Sequence, residues 1–209
     1  ELLATFSRAT REDVRRAVTA AERAFPAWKR LPAPHRAEIL FRAAQIMRQR
    51  KDELGAIVTQ EMGKVIAEGR GDAQEAIDFF EYVAGEGRRL FGETTTSELQ
   101  NKFAMTVRQP IGVVGCITPW NFPIAIPAWK LGAALVAGNT VLFKPASQTP
   151  LSAARLVEIL VEAGVPAGVL NFLPGSAEVV GAELVDNPRV RSISFTGGVP
   201  AGTEVYTRA

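Results

Sequence analysis

The feature that most constrains the fold is a set of four short apolar segments that alternate with helical segments after residue 110. These segments are 111–117, which is a β-branched run, and 140–144, 169–173 and 192–196, and helical spacing or glycine follows each of them. Continuous apolar strands that alternate with helices are typical of a parallel sheet covered on both faces. We therefore predict an α/β fold with a parallel sheet and flanking helices over residues 111–209.

Charge divides the chain at the same place. Residues 111–209 carry six basic and six acidic side chains, whereas the whole chain has 24 and 22. The charge-rich first part predicts amphipathic helices. One begins at a capping box of Thr10 and Asp13 and ends before a turn at Pro26. A second carries apolar residues from Ile39 onward and stops near Gly63, and a third covers about 66–90. Residues 93–108 alternate as extended chain and predict a strand pair, which is either a surface hairpin or a subunit contact.

Composition excludes several kinds of site. One Cys and one His in 209 residues exclude a disulfide framework and Cys- or His-rich metal sites, so we expect no metal. A formal net charge of +2 gives no reason to expect nucleic acid. No apolar run approaches the roughly 18 residues that span a bilayer, and we expect a cytoplasmic protein without membrane contact. His35 follows Pro34 at a predicted helix start and is interpreted as a surface or capping residue rather than a general base.

Polar residues and glycines collect where the predicted strands end, at 118–121, 144–147, 174–176 and 196–198. Ligands of parallel sheets bind beyond the carboxyl ends of the strands, and this set of one amide, one lysine, hydroxyls and backbone N–H groups suits a ribose and phosphates. The dinucleotide fingerprint Gly-x-Gly-x-x-Gly is absent. The residues by themselves therefore leave the class of ligand open.

Five ordered motifs resemble those of the NAD(P)-dependent aldehyde dehydrogenase superfamily: Thr118–Pro123, Gly138–Val141, Lys144–Ser147, Pro174–Gly175 and Ser194–Gly197. The first half also resembles that family, with Glu61-Met62-Gly63-Lys64 at its E-x-G-K stretch, and the likeness is closest to the semialdehyde dehydrogenases. It implies an aldehyde dehydrogenase-like fold that is incomplete at the carboxyl end. Residues 1–92 would be the helical part of the cofactor domain, 93–110 the bridging strands, and 111–209 the Rossmann-like NAD(P)-binding part.

The resemblance implies roles for individual residues. Asn121 matches the asparagine whose amide donates to the oxyanion of the thiohemiacetal, although such a residue alone is more typical of a helix cap. Lys144 matches the lysine that binds the adenosine ribose hydroxyls, and Trp120 lies near the nicotinamide end or is simple packing. The implied cofactor-binding residues are Ile117, Thr118, Pro119, Trp120, Lys144, Ala146, Ser147, Gly175, Gly181, Phe195, Thr196, Gly197 and Gly198.

Ser147 bears on the choice of cofactor. Many NAD-preferring members of the family carry a glutamate three residues after the lysine, where it binds the ribose 2′-hydroxyl and would repel a 2′-phosphate. Serine removes that repulsion and Lys144 adds positive charge, so we expect NADP or dual use over strict NAD. Two departures bear on cofactor affinity: Ala177 replaces a turn glycine, and Gly198 replaces a serine.

The chemistry of the family needs a cysteine nucleophile and a glutamate base, which both belong to segments after the Thr-Gly-Gly turn. Cys116 lies within an apolar strand and is interpreted as buried and inert, while Glu178 and Glu183 have no motif support as the base. The chain begins at Glu1 and ends within a predicted helix. We therefore interpret it as the amino-terminal portion of an aldehyde dehydrogenase, inactive alone and a homodimer or homotetramer as the whole protein. The alternative is a naturally truncated nucleotide-binding or assembly module.

Overall fold

Four helices form the amino-terminal part of the structure, a computed structural model that describes residues 2–209. They are α1 (Arg11–Arg30), α2 (Ala33–Gln49), α3 (Lys51–Met62) and α4 (Ile66–Glu86). The predicted capping box begins α1, because the Thr10 hydroxyl accepts from the Asp13 N–H and the Asp13 carboxylate accepts from the Thr10 N–H. Gly63 ends α3 in the left-handed conformation, with φ of 91°, which confirms the predicted stop.

Three predicted helix bounds were wrong. Helix α1 continues through Pro26 to Arg30, because Pro26 is exposed and Trp28 beyond it is buried in the core. The second predicted helix divides at Arg50, whose φ of −106° and ψ of 16° interrupt the helical path between α2 and α3. Helix α4 ends at Glu86 rather than near residue 90. At the next residue, Gly87, an added Cβ would lie 2.7 Å from the Ala37 Cβ of α2.

A short hairpin follows α4, as the alternating pattern predicted. Strand β1 (Thr94–Thr96) pairs antiparallel with β2 (Phe103–Met105), and nearly all residues of both strands are exposed. Asn101 lies in the connection with φ of 59°, a conformation that asparagine tolerates. The strand pair is therefore confirmed, and its two interpretations as surface hairpin or subunit contact both stay open.

The rest of the chain forms a four-stranded sheet in the order β5-β4-β3-β6, with all pairings parallel. Its strands are β3 (Val113–Ile117), β4 (Thr140–Lys144), β5 (Leu170–Phe172) and β6 (Val190–Phe195). Helices α5 (Ala125–Val136), α6 (Pro150–Glu162) and α7 (Ala182–Asp186) connect them, and α8 (Val199–Arg208) follows β6. The predicted parallel α/β fold is confirmed. The predicted helix over 177–185 begins as a π-helical turn (Ala177–Gly181) before α7.

Two apolar clusters cover the two faces of the sheet. On β3, Val114 and Cys116 join the larger cluster, whereas Val113 and Ile117 join the smaller one, as expected when side chains alternate along a strand. The larger cluster contains Trp28 of α1 and buried side chains of α2, α3, α4, α5 and α6, and the smaller one contains the other buried side chains of α1 and those of α7. The amino-terminal helices and the sheet therefore share one core. The three-part division of the chain stays a prediction.

Candidate functional site

The carboxyl ends of three strands meet at one edge of the sheet. Ile117 at the end of β3 is in register with Lys144 on one side and with Phe195 on the other. Hydrogen bonds extend this register by one residue: Thr118 N–H donates to the Lys144 carbonyl at 3.2 Å, and Thr196 N–H donates to the Ile117 carbonyl at 3.1 Å. Residues that the sequence analysis took from separate motifs are thus neighbours in space.

A cavity of about 120 Å³ opens at this edge. Four residues predicted to bind a cofactor line it, namely Ile117, Lys144, Gly181 and Phe195. The sequence analysis assigned no cofactor contact to the rest of the lining, which comes from the π-helical turn, α7 and α8: Ala177, Glu178, Ala182, Val185, Ala201, Glu204, Val205 and Arg208. The four residues from α8 have the spacing of one helix face, which is the sequence signal that could have identified them.

Two buried polar side chains give this edge unused hydrogen-bonding capacity. The Lys144 ammonium donates to the Pro145 carbonyl at 2.9 Å, and burial lowers its pKa while the Glu178 carboxylate opposes that shift. Thr118 is buried, and its Oγ1 has no hydrogen-bond partner within residues 2–209. Because an ammonium has three donors and a buried hydroxyl without a partner is costly, both groups favour a polar ligand at this position.

We call residues 144–149 the lysine loop, which connects β4 to α6. Within it Ala146 is buried and Ser147 is exposed, and the Ser147 hydroxyl donates to the Gly175 carbonyl at 3.1 Å. Ser147 and Gly175 line a separate depression with residues 4–8 of the chain rather than the cavity. A Cβ at Gly175 would lie 2.5 Å from the Val180 side chain, so packing alone requires glycine there.

We call residues 118–123 the amide loop, which connects β3 to α5. Pro119 is half-buried, Trp120 is 49% exposed, and Asn121 is exposed without a side-chain hydrogen bond to residues 2–209. Asn121 does not cap α5, because Ile124 occupies the cap position. The structure therefore does not show the helix-capping role that is typical of an isolated asparagine. Asn121 also does not line the cavity.

The two glycines of the turn at 196–198 differ in what a Cβ at each position would contact. A Cβ at Gly197 would lie 2.5 Å from the Phe195 ring, so this position requires glycine. A Cβ at Gly198 would meet only Pro200, at 3.9 Å, and Gly198 is the N-terminal cap residue of α8. The backbone N–H groups at the start of α8 therefore lie beside the end of β6, where Thr196 is half-buried.

Three charged residues of the helical part, which the sequence did not predict at the site, contact the amide loop or the helices that follow the two loops. The Glu61 carboxylate accepts hydrogen bonds from the Leu151 and Ser152 N–H groups at the start of α6. The Asp72 carboxylate accepts from the Ala125 N–H at the start of α5, at 2.8 Å, and burial raises the pKa of Asp72 to about 6. Lys64 Nζ lies 3.4 Å from the centroid of the Phe122 ring. The only sequence signal was the motif that contains Glu61 and Lys64.

Two other candidates for reactive groups, Cys116 and Glu183, are buried within the fold. Cys116 is fully buried, and burial raises the pKa of its thiol to about 12. Glu183 is buried, and its carboxylate accepts hydrogen bonds from Arg15 at 2.9 Å and from Arg11 at 3.5 Å. In the part of the chain that the structure describes, no three His, Cys, Asp or Glu side chains are grouped for a metal ion. These contacts agree with the interpretation of Cys116 as inert.

Comparison with known proteins decides the family. The family described as "Aldehyde dehydrogenase family" matches residues 1–209, which is the whole chain. The chain belongs to the aldehyde dehydrogenase family. Two curated relatives are an alpha-ketoglutaric semialdehyde dehydrogenase of Bacillus subtilis (strain 168), 45% identical over 92% of this chain, and an NADP(+) succinate-semialdehyde dehydrogenase of Escherichia coli (strain K12), 46% identical over 93%. The chain spans 40% of the length of each of these two.

Solved structures have the same fold as this chain. An NADP-dependent enzyme of E. coli superposes with a TM-score of 0.97 at 44% identity, over all of this chain and 43% of that one. A betaine aldehyde dehydrogenase of Staphylococcus aureus in complex with NAD+ superposes with a TM-score of 0.97 at 33% identity, again over all of this chain and 43% of that one. The aldehyde dehydrogenase-like fold of the prediction is confirmed. Within residues 2–209 no helix combines the length and apolar character needed to cross a bilayer.

Proposed function

We propose that this chain is the amino-terminal, cofactor-binding part of an enzyme that oxidises an aldehyde to a carboxylate with NADP+ or NAD+. The observation that carries the proposal is the cavity at the carboxyl edge, where Ile117, Lys144, Gly181 and Phe195 come together from four separate segments of the chain. The names of the two curated relatives support a semialdehyde as the substrate class. When bound, the nicotinamide accepts the hydride that leaves the substrate.

The residues at the edge fit a dinucleotide by their chemistry. Lys144 has donors for ribose hydroxyls, and the Thr118 hydroxyl is buried without a partner within residues 2–209. The N–H groups that begin α8, after Thr196, Gly197 and Gly198, suit a phosphate because a helix amino terminus attracts anions. We assign Ala177 a steric effect on affinity, since its methyl group lines the cavity.

Asn121 is our candidate for the group that stabilises negative charge on the substrate oxygen. Its exposed amide follows a buried strand and has no hydrogen bond to residues 2–209, which leaves its N–H groups available. A fixed neutral donor aimed at a developing oxyanion accelerates acyl-type chemistry. We assign the nucleophile and the base to residues outside this chain, because Cys116 is buried and Glu183 is engaged by Arg11 and Arg15.

We propose NADP or dual use over strict NAD. No carboxylate occupies position 147 to repel a 2′-phosphate, and Lys144 supplies positive charge. The Ser147 hydroxyl donates to the Gly175 carbonyl. To donate to a 2′-phosphate instead, the hydroxyl would rotate and give up that hydrogen bond. The two solved relatives support either cofactor, because one is described as NADP-dependent and the other is in complex with NAD+.

Binding of the two cofactors to the full-length protein tests the proposal. Calorimetry with NADP+ and NAD+ should give micromolar dissociation constants, and Lys144→Met should raise both about tenfold or more because it removes charged hydrogen bonds. Lys29→Met, at an exposed position near Phe25, is the control and should change neither. A wild-type protein that binds neither cofactor would show the proposal to be wrong. Binding without oxidation of any aldehyde would favour the non-catalytic binding module instead.

The variant Ser147→Glu tests the preference between the cofactors. The new carboxylate should weaken NADP+ binding at least tenfold through repulsion of the 2′-phosphate, while NAD+ binding changes less than threefold. Equal effects on both would show that position 147 does not face the 2′ group.

We also infer that the whole protein is a cytoplasmic homo-oligomer, supported by the single buried cysteine and by the exposed apolar side chains of the hairpin.

A further inference from the structure

The segment Glu61–Lys64 spans the end of α3 and the connection to α4. It contacts the amide loop and the start of α6, which follows the lysine loop. Gly63 turns the chain in the left-handed conformation, so that the two charged residues on either side of it reach different elements. Glu61 reaches the start of α6, after the lysine loop, and Lys64 reaches Phe122 in the amide loop. Neither contact is explained by the proposed binding of a cofactor.

Glu61 supplies the amino-terminal cap that α6 lacks. Thr149 at the cap position makes no side-chain hydrogen bond to the helix, and Pro150 follows it. The Glu61 carboxylate instead accepts from Leu151 N–H at 2.6 Å, from Ser152 N–H at 2.8 Å and from the Ser152 hydroxyl at 2.6 Å. Charged hydrogen bonds to the first N–H groups of a helix are strong, and they fix where the lysine loop ends.

Lys64 contacts the residue that follows Asn121. Its ammonium lies over the Phe122 ring, 3.4 Å from the centroid, which is a cation–π contact at the exposed side of the amide loop. The negative charge of Asp72 interacts favourably with Lys64, and the Asp72 carboxylate caps α5 at Ala125. The helical layer therefore holds the amide loop at Phe122 and the start of α5, directly after it, at Ala125.

We propose that Glu61 and Lys64 are positioning residues, which hold the lysine loop and the amide loop in register so that the cofactor site and the Asn121 amide form together. The proposal rests on the proposed function. Neither side chain lines the cavity, so Lys64 acts through the amide loop and Glu61 acts through the start of α6, where the lysine loop ends. A shift of a catalytic amide by about 1 Å is enough to lower a rate strongly, so a contact at the adjacent residue matters for chemistry as well as for folding.

The Glu61 contact is tested by Glu61→Gln in the full-length protein. The amide nitrogen of glutamine cannot accept from Ser152, so the start of α6 loosens, and the dissociation constants of NADP+ and NAD+ should rise about tenfold. Turnover at saturating cofactor should change less than threefold. Asp52→Asn is the matched control, because Asp52 is an exposed carboxylate at the other end of α3 that pairs with Arg70. Unchanged dissociation constants in Glu61→Gln would overturn the proposal.

The Lys64 contact is tested by Lys64→Met and by Lys64→Arg. Loss of the ammonium should lower turnover at least fivefold with the cofactor dissociation constant changed less than threefold, and arginine should restore turnover because it also binds a ring face. Lys51→Met is the control on α3, where Lys51 donates to Gln74 at 2.7 Å. A purely structural role predicts that Lys64→Met lowers thermal stability with normal turnover in the folded protein, and that result would overturn the proposal.

Hydrogen exchange separates this proposal from the proposed function. In the full-length protein without cofactor, Glu61→Gln should speed exchange of the Leu151 and Ser152 amides about tenfold relative to wild type, whereas Asp52→Asn should not. This readout does not depend on cofactor binding or turnover. Unchanged exchange would overturn the Glu61 contact, whereas a wild-type protein that binds no cofactor would contradict the proposed function itself.

Discussion

Asn121 lies where a buried strand gives way to an exposed loop, and its amide makes no hydrogen bond to residues 2–209. If it donates to the oxyanion, Asn121→Ala in the full-length protein should lower turnover about a hundredfold or more, because one such donor contributes on the order of 3 kcal/mol. The dissociation constant of the cofactor should change less than threefold. Steady-state kinetics and calorimetry measure the two quantities, and normal turnover in the variant would contradict the assigned role.

Asp72 gives the stability of the protein a pH dependence. It is 1% exposed, and burial raises its pKa from 3.8 to about 6. The folded state then binds the proton more tightly than the unfolded state, so the free energy of unfolding falls as pH rises from about 4 to about 6. Asp72→Asn keeps an acceptor for the Ala125 N–H and removes this cost, on the order of 3 kcal/mol above pH 6.

Urea unfolding at pH 4, 5, 6 and 7 checks this expectation. The difference in unfolding free energy between Asp72→Asn and wild type should grow in favour of the variant as pH rises. Asp78→Asn is the control, since Asp78 lies exposed on the same helix. A difference that stays constant with pH would mean that Asp72 titrates as an ordinary carboxyl.

Residues of the candidate site were predictable when their position followed from a strand end. Lys144 and Phe195 end apolar runs, and parallel strands bring such ends to one edge, so spacing alone places them near each other. Glu61 and Asp72 were not predictable in this way. Their partners lie 90 and 53 residues away in the chain, and a contact at such a distance leaves no local pattern.

At the scale of elements, α3 and α4 cross at two glycines. A Cβ at Gly69 would lie 2.4 Å from the Gly55 carbonyl oxygen, and a Cβ at Gly55 would lie 2.9 Å from the Arg70 nitrogen. Both obstacles are backbone atoms, which cannot move aside as a flexible side chain can. The two helices therefore approach each other more closely than a side chain at either glycine would allow. This close approach positions α3, and near its end the Glu61 side chain contacts α6.

The variant Gly69→Ala should lower the free energy of unfolding by about 2 kcal/mol, because the methyl group forces the two backbones apart. Gly71→Ala on the same helix is the matched control, since a Cβ there meets nothing within 4 Å. It should raise stability by up to about 1 kcal/mol through the helix propensity of alanine. Urea unfolding measures both, and equal effects of the two substitutions would contradict the close crossing.

Elements with local signals were predicted well, and those that depend on tertiary contacts were not. The capping box at Thr10 and the left-handed Gly63 are complete within a few residues, so the sequence alone identifies them. Pro26 predicts a helix stop, yet α1 continues through it. Proline has no N–H to donate to the carbonyl of the preceding turn, and because Pro26 is exposed that carbonyl can bond to water. Burial of Trp28 then favours the continued helix. The break at Arg50 has no breaker residue in the sequence, and the helices on either side of it both pack on α4 and α6.

At the scale of the whole molecule, the hairpin β1–β2 lies outside both apolar clusters. Phe103 is 73% exposed and Met105 is 61% exposed, although both are large apolar side chains. Burial of such side chains against a second copy of the protein would remove this surface from water. The hairpin is therefore the part of the described chain that we assign to the proposed homo-oligomer.

The double variant Phe103→Glu and Met105→Glu in the full-length protein should reduce the molar mass to that of a smaller oligomer, because two carboxylates cannot be buried without partners. Light scattering during size-exclusion chromatography measures the mass. Val161→Glu is the control, since Val161 is an apolar residue of α6 that is 56% exposed. An unchanged mass in the double variant would leave the strand pair as a surface hairpin.

The caps that α5 and α6 receive from Asp72 and Glu61 limit how the candidate site at the carboxyl edge of the sheet could be moved between proteins. A piece cut at Ile111 would keep all four parallel strands but would start both helices without those carboxylates. It would also remove α1 from the sheet face of Val113, Ile117 and Leu142, and the helical layer of α2, α3 and α4 from α5 and α6. A graft that transplants this edge into another scaffold must therefore bring all four amino-terminal helices with it.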